Sequence, residues 1–247
     1  MKRLFVSSAL AMLCLAMLPS ASSAQEKYFA TAGSQVANTD DEGFIRRWTV
    51  LEPISKPNRS NTVFTDTYLR EVFAKEYFKG QMTMVPKDGQ KVKAQFEKVE
   101  MPKDYRRFDP NAKLKVETGT ETLKWHKLDS KTFNLKLLRF GEHHINRSYG
   151  VIYWTFTAIV CDEEMKDVRL SVGSNSASMW WINGEEVLLM SGDRRMVVDD
   201  CMSDRITLKK GENIIRGAII NGPGMSDFCV RFIDENGQPI TKGITIK

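Results

Sequence analysis

Apolar and polar residues alternate with a period of two along much of this chain, and turn residues interrupt the alternation at short intervals. The clearest case is residues 168–190. Val168, Leu170 and Val172 alternate with polar neighbours, as a half-buried strand requires; 173–178 is small and polar, as a loop requires; the apolar runs 179–182 and 187–190 then flank Asn183-Gly184. Asn and Gly both tolerate positive φ, which a two-residue type I′ hairpin needs, so a tight hairpin is predicted there. Successive side chains on a strand point to opposite faces, so Trp180 and Trp181 must part company. One enters a core; the other faces a second layer, a ligand or solvent.

The same pattern places the other elements. In 149–160, Ile152, Trp154, Phe156, Ala158 and Val160 share one face while Tyr153, Thr155 and Thr157 share the other, which predicts a central strand. Residues 214–221 are apolar on both faces except at Arg216, which predicts a strand inside a sheet covered on both sides. One helix is predicted over 66–79: Leu69, Val72, Phe73 and Tyr77 fall on one face, Asp66 caps it and Gly80 stops it. Lysine-rich residues 81–128 carry several Pro/Asp/Gly turns and read as an elaborated hairpin excursion, returning to alternation at 123–128. Many short strands with one short amphipathic helix make an all-β sandwich.

The N-terminus changes where that domain begins. Lys2 and Arg3, an apolar run and then Ser20-Ala21-Ser22-Ser23-Ala24 form a secretory signal peptide over 1–24, so the protein is expected to be secreted or periplasmic. Polar, aperiodic 25–42 reads as a flexible leader, with a single domain over 43–247. Removing Lys2 and Arg3 takes the basic residues from 36 to 34 against 31 acidic, a net charge of +3. Charges of both signs are interspersed, so neither a nucleic-acid footprint nor a membrane patch is expected. An N-terminal membrane anchor is the alternative for that segment, but the apolar run from Leu4 to Leu18 is short of the roughly 20 residues a spanning helix needs, so no membrane span is expected. Cys161, Cys201 and Cys229 lack metal-type spacing, and Cys229, flanked by Phe228 and Val230, reads as a buried free thiol.

Several stretches carry a family likeness. The strand, small polar loop and aromatic strand ending in Trp181-Ile182-Asn183-Gly184, the segment from Leu208 to Ile215, the run Phe228–Asp234 (residues 228–234) with Asn236-Gly237, and the opening run from Phe44 to Ile54 together resemble the galactose-binding-like jelly-roll modules attached to secreted polysaccharide-degrading enzymes. The likeness covers residues 44–240. The chain also looks like secreted Bacteroidetes proteins often labelled acetylxylan esterases. What the resemblance implies is a jelly-roll β-sandwich that contacts polysaccharide or oligosaccharide.

Sugar rings stack their C–H faces on aromatic rings while hydroxyls pair with fixed donors and acceptors. Trp180 or Trp181 is the expected platform, with Asn175, Asp193, Arg194 and Arg195 as polar partners. An internal salt-bridge network between Arg194 or Arg195 and Asp199 or Asp200 is the structural alternative for that loop. Residues 221–227, rich in Gly and Pro, form a second loop expected beside the first. No cofactor is implied with certainty; a structural calcium is the one ion the resemblance suggests, although no EF-hand spacing exists. His143 and His144 read as solvated residues of a polar loop, without a third metal ligand at a recognisable spacing. An esterase would need a Ser–His–acid cluster near His126 or His143, and no Gly-x-Ser-x-Gly elbow is present. The expected function is therefore non-catalytic carbohydrate binding, with an acetylxylan-esterase-like hydrolase or a protein–protein interaction domain as alternatives.

Overall fold

The computed structural model describes residues 27–58, 60–99 and 115–247, so the expected signal peptide lies outside the described residues. In chain order its elements are β1 (Phe29–Thr31), β2 (Ala37–Asn38), β3 (Arg47–Leu51), β4 (Ile54–Ser55), helix α1 (Asp66–Ala74), β5 (Lys91–Val99), β6 (Val116–Ser130), helix α2 (Leu137–Ile145), β7 (Val151–Cys161), β8 (Met165–Ser174), β9 (Ala177–Ile182), β10 (Glu185–Met190), β11 (Cys201–Met202), β12 (Ile206–Leu208), β13 (Gly211–Asn221), β14 (Phe228–Ile233) and β15 (Ile244–Ile246). An eleven-stranded sheet runs β1-β6-β3-β7-β13-β9-β10, with β4 and β15 also on β7, β5 on β6 and β2 on β15. A four-stranded sheet runs β11-β8-β12, with β14 also on β8. The architecture is an all-β sandwich. Its centre is the predicted strand β7, paired with β13 from Cys161↔Gly211 to Val151↔Asn221.

Both faces of the large sheet are covered, and this decides where the aromatic residues go. On one face Tyr153, Ile159, Trp180, Ile215 and Ile219 pack against Val168, Leu170 and Val172 of β8, Phe228, Val230 and Phe232 of β14, and Leu137 and Phe140 of α2. On the other, Ile152, Trp154, Phe156, Trp181 and Ala218 pack against Leu69, Val72 and Phe73 of α1 and the Tyr77-Phe78 turn that follows it. Trp180 and Trp181 thus point into different cores. Trp180 is 0 % exposed, its indole N–H donates to Ser178 Oγ at 3.0 Å, and its ring meets Trp48 and Phe228 edge-on. Room for it comes from Gly217, its register partner on β13, where an added Cβ would stand 2.5 Å from the indole.

The hairpin at Asn183-Gly184 forms with φ of 54° and 91°, both positive as a type I′ turn demands. The long hairpin within 81–128 also forms, as β5 paired with β6 from Lys91↔Lys124 to Val99↔Val116. Three expectations are corrected. The stretch read as a flexible leader is built into the sheet: β1 pairs with β6, β2 pairs with β15, and Phe29 is buried. The helix α1 starts after a Thr65 cap and stops at Ala74 rather than at 79, because Gln81 donates to Lys75 O at 3.0 Å and accepts from Tyr77 N at 2.9 Å, turning Tyr77 and Phe78 into the core. Finally, His143 and His144 lie not in a loop but on a second helix, α2, which buries Leu137, Leu138, Phe140 and Gly141 and ends on Asn146 in the left-handed conformation. Cys161, Cys201 and Cys229 are all free, and burial pushes the Cys229 thiol up to about 11.

Candidate functional site

A cavity of about 530 Å³ opens on the α1 side of the large sheet. β9 supplies Met179 and Trp181 to it, α1 supplies Arg70 and Phe73, and the turn after α1 supplies Gln81 and Thr83. Trp181 stacks on Trp154 with centroids 5.7 Å apart and planes 19° from parallel, and Phe73 meets it edge-on at 6.3 Å. Packed in this way Trp181 is 7 % exposed, so it offers the cavity only a small part of its surface. At the rim Arg70 pairs with Glu186, the residue opposite Trp181 in the β9–β10 register. An apolar floor beside one cation, two carboxylates and an amide is chemically suited to a ring with one apolar face and several hydroxyls.

The structure separates the residues that the sequence had grouped. Trp180 is a core residue and is excluded as a platform. Asn175, Asp193, Arg194 and Arg195 are not among the residues lining the Trp181 cavity. Asp193 Oδ1 instead accepts from Asn61 Nδ2 at 2.7 Å, and Asn61 also donates to Pro223 O and accepts from Gly222 N, so the two polar loops do meet, with Asn61 tying them. Asn175 N donates to Asp227 O at 2.9 Å at the same end of the sandwich. Arg194 is bound to Asp200 and to Ser191 O, which is the internal network weighed as the alternative. Asp199 turns away to Arg231 of β14, whose guanidinium holds its carboxyl below the ordinary range. Arg195 is exposed. The polar residues that do reach Trp181 are Arg70, Glu76, Gln81, Thr83 and Glu186; four of them precede it by about a hundred residues, and only Glu186, close by in the hairpin, was within reach of a sequence pattern.

A second cluster lies on the opposite face. His126 of β6 sits at the register position of Val50, and Glu52 follows just beyond β3, so the antiparallel pairing brings His126 Nε2 to 2.9 Å from Glu52 Oε1. Helix α2 lowers His144 onto them, with imidazole centroids 3.8 Å apart. Glu52, His126 and His144 have ligating atoms within 4.8 Å of one another. Burial pushes the His144 imidazole down to about 3, reinforced by His126 and His143, and burial also lowers His126 against the raising effect of Glu52. Among the described residues no serine hydroxyl is hydrogen-bonded to any of the three histidines. The sequence offered no sign of this cluster because its members are separated by 74 and 18 positions.

No protein-family model matches the chain, and no curated protein matches it. Solved structures similar to parts of it include the following two. A β-glucosidase from Kluyveromyces marxianus in complex with glucose shares 14 % identity at a TM-score of 0.34 over 57 % of this chain and 16 % of its own. The PA14 domain of the antifreeze protein MpAFP shares 9 % identity at a TM-score of 0.38 over 86 % of this chain and 90 % of its own. The chain thus spans about one sixth of the β-glucosidase it resembles. Among the described residues no helix is long and apolar enough to cross a membrane.

Proposed function

We propose that this chain is an exported, non-catalytic carbohydrate-binding protein of the galactose-binding-like kind, which receives a sugar ring of a polysaccharide or oligosaccharide in the cavity beside Trp181. The observation that carries the reading is the cavity itself, in which Trp181, Phe73 and Met179 form the floor and Arg70 and Glu186 the rim. Its volume of about 530 Å³ suits one or two sugar rings and falls within the roughly 300–1,000 Å³ usual for small-ligand sites. The basic, apolar and small-residue succession over 1–24 supports export.

The test is a titration of intrinsic tryptophan fluorescence with xylo-, manno- and galacto-oligosaccharides, run on the parent chain and on the rim variants Arg70→Met and Glu186→Gln. Acetate release from acetylated xylan is followed in the same tubes. A saturable shift that both rim variants weaken, without acetate, is the expected result. A shift indifferent to both variants places the ligand elsewhere, silence for every sugar removes the reading, and acetate release transfers it to an esterase.

A further inference from the structure

We propose that Glu52, His126 and His144 bind one divalent ion of the zinc class, which fastens helix α2 to the large sheet. Two imidazoles and a carboxylate are a donor set that suits zinc and its first-row neighbours rather than calcium, which takes oxygen ligands. The ligating atoms already lie within 4.8 Å of one another. A tetrahedral ion with bonds of about 2.0–2.2 Å holds its ligand atoms about 3.4 Å apart, so no pair has to close by more than roughly 1.4 Å, a movement that side-chain rotation supplies.

The carboxylate is already oriented. Glu52 Oε2 accepts from the Lys124 backbone N–H at 2.9 Å, which turns Oε1 toward His126. Such outer contacts fix ligand geometry before the ion arrives. Phe140 packs against both imidazoles, with centroids 5.5 Å from His126 and 4.5 Å from His144. The His144 Nε2 is buried with no hydrogen-bond partner, a state that ordinarily costs about 1–3 kcal/mol and that a metal bond relieves. His144 also stands in the last turn of α2, where the carbonyl end of the helix favours a cation. Lys124 adds an opposing positive charge near His144, and Glu52 brings a carboxylate to His126. The ion has three protein ligands and one open position for water. It lies across the large sheet from the Trp181 cavity, so this site does not depend on the sugar-binding reading.

The experiment uses the whole folded chain, stripped with a chelator and titrated with Zn²⁺ by calorimetry and with Co²⁺ as a visible-absorption probe. One Zn²⁺ per chain is expected, with a raised thermal midpoint, the d–d bands of a low-coordinate Co²⁺, and weakening by at least about 100-fold in His126→Gln and in His144→Gln. Imidazole NMR of the parent chain keeps the test decisive if a variant misfolds: Zn²⁺ must move the His126 and His144 signals, and Ca²⁺ must not. Absence of stoichiometric Zn²⁺ binding, unmoved histidine signals, or affinity that survives both variants would overturn the assignment.

Discussion

Trp181 stacks on Trp154 across the large sheet, and the strand between them, β13, carries only Ala218 opposite Trp154. The indole that reaches the cavity is therefore also part of the core formed by α1. Its position beside the cavity is set by packing, which leaves it little exposed area.

Replacing Trp181 by alanine should consequently do two things at once. Loss of the buried ring should destabilise the fold by about 3–5 kcal/mol, the usual cost of a large aromatic deletion in a packed interior. Urea unfolding reads this directly. Arg70→Met, which removes an exposed rim group, should leave the unfolding midpoint close to that of the parent chain. A parent-like midpoint for Trp181→Ala would show that the Trp154 stack contributes nothing to the core.

Gly141 offers a case in which two rules oppose each other. In an exposed helix, glycine to alanine stabilises by about 1 kcal/mol. At this position in α2 an added Cβ would collide with the Arg147 carbonyl oxygen and the Tyr153 hydroxyl. Overpacking of that kind costs about 1–3 kcal/mol or more, and the contacts are too close for the propensity gain to prevail. Gly141→Ala should lower the thermal midpoint; a rise would mean that α2 can move away from β7.

Asp199 links the 191–200 loop to β14. Its carboxyl is held below the ordinary range first by hydrogen bonding to Arg231, with Ser171 adding to it. A depressed folded-state pKa contributes stability that is present above the unfolded value of about 3.9 and is lost as pH falls through the folded one. Asp199→Asn keeps a side chain that tolerates the left-handed backbone at φ 57°. Because the pair is partly solvated, its loss should cost about 1 kcal/mol at pH 7. The gap between parent and variant should close as the solution is acidified below about pH 4, as followed by unfolding at a series of pH values; a gap that widens on acidification would assign the effect to something other than this carboxylate.

Local patterns read well where the determining interactions are local. Asn183-Gly184 specifies its own turn, since the positive φ values belong to those two residues. The alternation in 149–160 identified β7 and the faces of Trp154 and Tyr153, and the doubly apolar 214–221 identified a strand covered on both sides. Helix α2 is hard to read from the sequence because a glycine and two histidines interrupt its apolar pattern. Its signal was Leu137, Leu138, Gly141 and Ile145, spaced as one helical face once Gly141 is read as a point of close approach and not as a turn.

By itself the sequence determined the class of the fold, its central strands, its tight hairpin and the divergence of two adjacent tryptophans, all consequences of a two-residue period and of backbone preferences within a few positions. Tertiary structure alone decided what each face would meet. Period-two alternation states that Trp180 and Trp181 diverge; it carries no information about whether β14 or α1 will cover them, because those segments lie 47 and more residues away along the chain. For the same reason Arg70 beside Glu186, Asn61 beside Asp193, and Glu52 with His126 and His144 arise only when antiparallel pairing and helix docking bring distant parts of the chain to one place.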